Sequence, residues 1–176
     1  VVIAASLLFG YQLEQRRNKA AESFAAAQSC FEKSDYECAS EAVLKASKYG
    51  FKEEEVRQLQ VKISLESAKV ALSADLPEIA LEHLVTCLGL QPNNISCVQT
   101  ACTARTMIAE RYVSTARWEE AVTLLDEIIT GCPNLSDSRS LQEDTFNRWY
   151  SDAKRQGNLV EISRIQQLWN ARFPKE

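Results

Sequence analysis

The chain has 176 residues, of which 45% are apolar, five are glycine and four are proline, a balance that excludes a disordered or collagen-like chain and fits a helical one. Its net charge is −4 and its basic residues are scattered, which argues against nucleic acid as a partner. One histidine, His83, with no metal-ligand spacing, Gly-rich phosphate loop or nucleophile motif, leaves neither an enzyme, a cofactor nor a small-molecule substrate expected.

The chain opens on VVIAASLLFGYQL, apolar almost throughout, and changes abruptly to EQRRNK. The apolar stretch is shorter than the about 20 residues that span a bilayer, and the sequence begins with Val rather than Met. We read residues 1–19 as the far end of a transmembrane anchor helix with its juxtamembrane segment, running straight into the next helix. A buried cap on the fold and a signal-peptide remnant are the alternatives.

Apolar residues at spacings of three and four predict helices over residues 2–33, 36–48, 52–74, 77–89, 94–115, 118–130, 136–156 and 159–172. Asp35, Asp75 with Pro77, and Gly157 break the chain within pairs of helices; Gly50, Pro92 to Asn94, Gly131 to Asn134 and Pro174 separate the pairs. The acidic run Glu53 to Glu55 opens a long helix, where negative charge favours the positive end of the dipole. His83, one residue before the apolar Leu84, reads as solvated or capping.

Sliding the sequence past itself gives a match at an offset of 41 residues. Ala39 meets Ala80, Ala121 and Ile162; Tyr36 meets Pro77, Trp118 and Leu159; Phe51 meets Pro92, Pro133 and Pro174. A fixed period of this size marks a stacked repeat, in which each unit buries its apolar face against its neighbours.

These units resemble tetratricopeptide (TPR) repeats over residues 20–176. The first helices supply Ala27 and Cys30, Ala68 and Ala71, Ala109 and Tyr112, then Tyr150 and Ala153. The second helices supply Ala39, Val43 and Ala46; Ala80, Leu84 and Cys87; Ala121, Leu125 and Ile128; and, degenerately, Ile162, Gln166 and Trp169. The resemblance implies an all-α fold, a right-handed α-solenoid of four helix-turn-helix repeats over about 20–51, 52–92, 93–133 and 134–176. The period departs from the family's 34 residues, with the surplus in the first helices.

The resemblance also implies a protein-binding groove lined by the first helices. The family's groove positions fall on Ala21, Phe24, Gln28 and Phe31; on Lys62, Leu65, Lys69 and Leu72; on Thr103, Thr106, Glu110 and Val113; and on Asp144, Asn147, Ser151 and Lys154. Phe24, Phe31, Leu65 and Leu72 would form an apolar strip edged by Lys62 and Lys69, suited to an apolar segment carrying some acid; the alternative is that they are core. Phe24, Glu66 and Met107 fall where the family's clamp for acidic chaperone tails needs Lys, Asn and Arg, which disfavours that use. In the last helix Ile162, Ile165, Leu168, Trp169 and Phe173 carry more apolar surface than one unit covers. A C-terminal interaction face around Trp149, Trp169 and Phe173 is therefore expected, unless Trp149 and Tyr150 absorb it.

In an antiparallel hairpin, residues equidistant from the turn face each other. Cys30 and Cys38 centre on Ser34, Cys87 and Cys97 on Pro92, and Cys102 and Cys132 on Arg117, so one of the fifteen connectivities uses all six cysteines across neighbouring helices. The competing reading is that cysteine serves as a small buried hydrophobe, which suits Cys30 and Cys87 best. Oxidation implies a periplasmic, lumenal or extracellular compartment. Arg16, Arg17 and Lys19 instead favour the cytoplasmic face of a membrane.

The leading functional expectation is a non-enzymatic, membrane-anchored scaffold that holds a protein partner of an envelope assembly. A permanent structural subunit of a large membrane complex, and the extracytoplasmic sensor half of a longer signalling protein, are the rivals.

Overall fold

The computed structural model describes the backbone of residues 2–132 and 137–174, and the side chains of 10–132 and 137–174. Among these residues the chain is all helical. The helices are α1 (Val2–Glu32), α2 (Tyr36–Lys48), α3 (Glu53–Ser73), α4 (Pro77–Leu90), α5 (Ile95–Ser114), α6 (Trp118–Gly131), α7 (Asp137–Arg155) and α8 (Leu159–Arg172). Boundaries differ from the expected ones by one residue at several ends, because Lys52 and Asn94 lie just outside the helices they precede. Of the expected breakers, Pro133 and Asn134 lie outside the described residues.

The chain divides into two compact units, Val1–Thr100 and Ala101–Glu176, the division falling within α5. In the first unit α1 packs on α2, α2 on α3, and α3 on α4; in the second α6 packs on α7, and α7 on α8.

The turns inside the helix pairs share one backbone design. Ser34, Asp75, Ala116 and Gly157 adopt φ of 59°, 59°, 58° and 67°, and successive members are 41 residues apart. At the first turn the Ser34 N–H donates to the Phe31 carbonyl at 2.9 Å and the Asp35 N–H to the Cys30 carbonyl at 2.9 Å. The same two bonds recur from Asp75 and Leu76, from Ala116 and Arg117, and from Gly157 and Asn158. This is the Schellman arrangement, in which a left-handed residue satisfies the last carbonyls of a helix. Only the fourth turn uses glycine, so the other three carry the steric penalty of a Cβ in that region.

The far ends of the pairs use a different device. Gln91, Cys132 and Phe173, each followed in sequence by proline, donate to Cys87, Ile128 and Trp169 at 2.8 Å. Their ψ values of 82°, 71° and 67° leave the helical region, as a following proline requires. The first pair has Phe51 where the others have proline, and α2 ends instead on Gly50, at φ 83°.

Alanine dominates the helix contacts. Ala27, Ala39, Ala46, Ala68, Ala80, Ala104, Ala109 and Ala121 are wholly buried. In the first unit Phe24, Ala27, Ala39, Ala42, Val43, Ala46, Val56, Leu59 and Ile63 form one core cluster. In the second, Val122, Phe146, Trp149, Ala153 and Ile165 form another.

α1 is unbroken from Val2 to Glu32, so the apolar opening continues into the first paired helix without a hinge. The side chains of residues 1–9 lie outside the described residues; those of 10–19 are exposed, and Ala20 is the first to be buried. Among the described residues no helix is long and apolar enough to cross a membrane.

All six cysteines are paired, Cys30 with Cys38, Cys87 with Cys97 and Cys102 with Cys132, at Cα separations of 5.8, 6.3 and 6.1 Å. Asp35 caps α2 by accepting from the Cys38 N–H at 3.1 Å, which places Cys38 in the first turn of α2, opposite Cys30 near the end of α1. Asn94 does the same for Cys97 at 3.2 Å.

Two stability predictions follow from these turns and bridges. Ala116→Gly should stabilise the fold by about 1 kcal/mol, read as a raised midpoint in guanidinium, because it removes a Cβ from a left-handed position. Removing the Cys102–Cys132 bridge, whose partners are 30 residues apart, should cost about 1 kcal/mol more than removing Cys30–Cys38, whose partners are 8 apart. Equal losses from the two paired Cys→Ala variants would contradict this ordering.

Candidate binding cleft

The expected groove does not form as a continuous apolar strip. Phe24 is 8% exposed and stacks on Phe51 with ring centroids 4.3 Å apart. The α2–α3 connection thus folds its aromatic residue back onto α1, making Phe24 core. Val113 is likewise buried. Phe31, tilted on Tyr36 at 5.8 Å, Leu65 and Leu72 are half-buried, while Ala21, Gln28, Lys62, Lys69 and Glu110 are exposed. Lys69 pairs with Glu66 at 2.7 Å, and Thr106 donates to the Cys102 carbonyl at 3.1 Å.

A concave surface does exist in the first unit, on the other side of α3. A cleft of about 890 Å³ lies between α2, the C-terminal half of α3 and α4. Its walls carry Leu44, Val70, Leu76 and Ile79, at 57%, 55%, 44% and 42% exposure, and its floor reaches the buried Val43, Ile63 and Ala71. Ser40, Ser64, Ser67, His83 and Thr86 add short polar groups, and Asp35, Glu37 and Glu41 stand at the α2 edge. None of the four residues of the expected strip lines it.

The second unit differs at this place. At positions two 41-residue intervals further on, Ser64 is replaced by Phe146, Ser67 by Trp149, His83 by Ile165 and Thr86 by Leu168. Phe146, Trp149 and Ile165 are buried in one cluster with Leu168 packed against it. Between α6, α7 and α8, large apolar side chains stand at the positions that two serines, a histidine and a threonine hold between α2, α3 and α4.

The expected C-terminal face is therefore largely internal. Trp149 is core; Trp169 and Phe173 are half-buried, their rings 5.6 and 6.2 Å from that of Phe146. Arg172 seals the edge, donating from Nη2 to Asp126 at 2.6 Å, and Gln142 donates to the same carboxylate at 2.6 Å. One carboxylate thereby ties α6 to both α7 and α8. The large apolar side chains left in solvent on α8 are Leu159 and Val160.

His83 is exposed on the wall of the cleft, and among the described residues no three His, Cys, Asp or Glu side chains are grouped to hold a metal ion.

No family model matches the chain, and no curated protein matches it. Among solved structures it is similar to the C-terminal TPR-containing domain of an FK506-binding protein from Plasmodium falciparum. The identity is 17% and the TM-score 0.40, over 81% of this chain and 95% of that one.

The ion pair between Glu119 of α6 and Arg164 of α8, at 2.6 Å, offers a pH test of the docking of α8. The hydrogen bond from Arg164 holds the Glu119 carboxyl below its ordinary value, and Glu119 in turn raises Arg164. A carboxyl lowered on folding contributes stability above its unfolded pKa and loses that contribution as pH falls through the folded one. NMR titration of Glu119 should give a midpoint below the usual glutamate range, returning to it in Arg164→Ala. An unchanged midpoint in the variant would remove Arg164 as the cause.

Proposed function

We propose that this protein is a non-enzymatic interaction scaffold of four TPR-like hairpins with a 41-residue repeat, which binds a protein partner in the cleft between α2, α3 and α4. The observation that carries the reading is the exposure of Leu44, Val70, Leu76 and Ile79 together on the walls of one cleft. Contiguous apolar side chains in a concavity mark an interaction site far better than scattered ones do. The recurrence of the left-handed turn at 41-residue intervals supports the repeat.

We place the scaffold in an oxidising compartment, an assignment supported by the three paired cysteines. We further propose that α1 anchors it to a membrane. The support is the apolar sequence that opens α1, followed along the same helix by Tyr11 and then Arg16, Arg17 and Lys19, an order suited to passage from lipid through an interface to water.

Site-specific photo-crosslinking tests the binding surface. A photoreactive residue at Leu44 or Val70 should give a discrete protein adduct, and one at Leu65 or Leu72 should not. Leu44→Glu with Val70→Glu should abolish partner recovery with stability changed by no more than about 0.5 kcal/mol per site, since both side chains are exposed. Normal recovery from that folded variant would refute the cleft as the site.

A further inference from the structure

We infer that the occupant of the cleft is a cationic amphipathic helix, one with apolar anchors on one face and a Lys or Arg edge. The inference rests on the scaffold reading and adds the chemistry of the partner.

Helix α2 carries a buried face of small apolar residues and an exposed face that borders the cleft. Ala39, Ala42, Val43 and Ala46 are buried. Glu37, Ser40, Glu41 and Leu44 lie on the cleft side, at the three- and four-residue spacing of one helical face. That face presents two carboxylates four residues apart, then an exposed leucine. Like charges at this spacing repel. Glu41 has only an exposed Lys45 at 3.8 Å, and Glu37 has no ion-pair partner among the described residues. No Lys or Arg lines the cleft.

Part of this acidity has local uses. Asp35 is spent on capping α2, and Glu37 in the first turn favours the helix dipole. Neither use accounts for Glu41, which lies beyond that turn, nor for the absence of a cation anywhere on the lining. An occupant that brings its own positive charge to the α2 edge relieves the repulsion between Glu37 and Glu41. Its apolar face covers Leu44, Val70, Leu76 and Ile79.

The walls also select for helix. All three are α-helical, so their backbone groups are already paired and no strand edge is open for an extended segment to join. A helix arrives with its own backbone hydrogen bonds made and contributes side chains at three- and four-residue spacing, which suits a groove between helices.

The test uses the purified chain and two labelled synthetic helices of Leu and Ala, one edged with Lys and the other with Glu, followed by fluorescence anisotropy. The lysine peptide should bind, more weakly as salt rises, and the glutamate peptide should not. Glu37→Lys with Glu41→Lys should weaken the lysine peptide about tenfold. Ser67→Trp with His83→Ile, which copies the filling of the second unit, should abolish binding. If circular dichroism shows that this filled variant is not folded, the charge-reversed variant, altered only at exposed positions, decides alone. The inference is overturned if the lysine peptide does not bind, if both peptides bind equally, or if charge reversal leaves its affinity unchanged. In that event, a protein adduct from a photoreactive residue at position 44 that is lost when Val70→Glu is added would leave the scaffold reading standing with a partner of different chemistry. Absence of the adduct as well would remove both.

Discussion

Alanine at the helix contacts is the constraint from which the rest of the structure follows. Ala27 and Ala39 in the first pair, Ala68 and Ala80 in the second, and Ala109 and Ala121 at the corresponding places further on have no exposed surface. A methyl group at each position leaves no room for a larger side chain without moving a helix, and so fixes how closely paired helices lie. Closely paired helices need a short connection, and a left-handed residue closing two carbonyls provides one. The penalty of a Cβ at Ser34, Asp75 and Ala116 is accepted because the alternative is a longer turn, which would shift the second helix along the first and displace alanine from its partner face.

The same constraint brings the cysteines within bonding distance. Cys30 and Cys38 flank the first turn, and neither was free to lie elsewhere once the hairpin had closed with Asp35 capping α2. A bridge so close to the turn adds little loop closure compared with the one between Cys102 and Cys132. Its position has a second consequence, because Ser34, Asp35 and Tyr36 belong to the cleft lining. The bridge therefore fixes the N-terminal end of one cleft wall before anything binds, which reduces the ordering that binding would otherwise require.

What was legible in the sequence was local. The turns, the helix ends and the cysteine pairing all depend on residues within one hairpin, and their spacing carries the information directly. Phe24 was misplaced because its burial depends on Phe51, which comes from the next connection and replaces the proline found at the other three equivalent positions. Trp149 was misplaced for a related reason: Phe146, Ile165 and Trp169 converge on it from two helices, and apolar content alone does not say whether such residues cover one another. The cleft was missed altogether, since what borders it is small side chains at Ser64, Ser67 and Thr86 and a polar one at His83. A vacancy has no motif, and it became visible only when the same positions in the other unit were found filled.

That contrast also bears on why the vacancy persists. Filling the space between α2, α3 and α4 with the residues that occupy the second unit would bury more apolar surface, and each large side chain so buried stabilises a fold by roughly 1.5–3 kcal/mol. The first unit forgoes this and leaves four aliphatic side chains in water instead. It compensates elsewhere in the hairpin, through the Phe24–Phe51 stack and the core built on Val43, Val56, Leu59 and Ile63. Val43 and Ile63 belong both to that core and to the floor of the cleft, so the floor is held from beneath while the walls stay open. In the second unit the equivalent positions are built into a buried aromatic cluster. The same repeat positions thus serve packing in one unit and border a concave surface in the other.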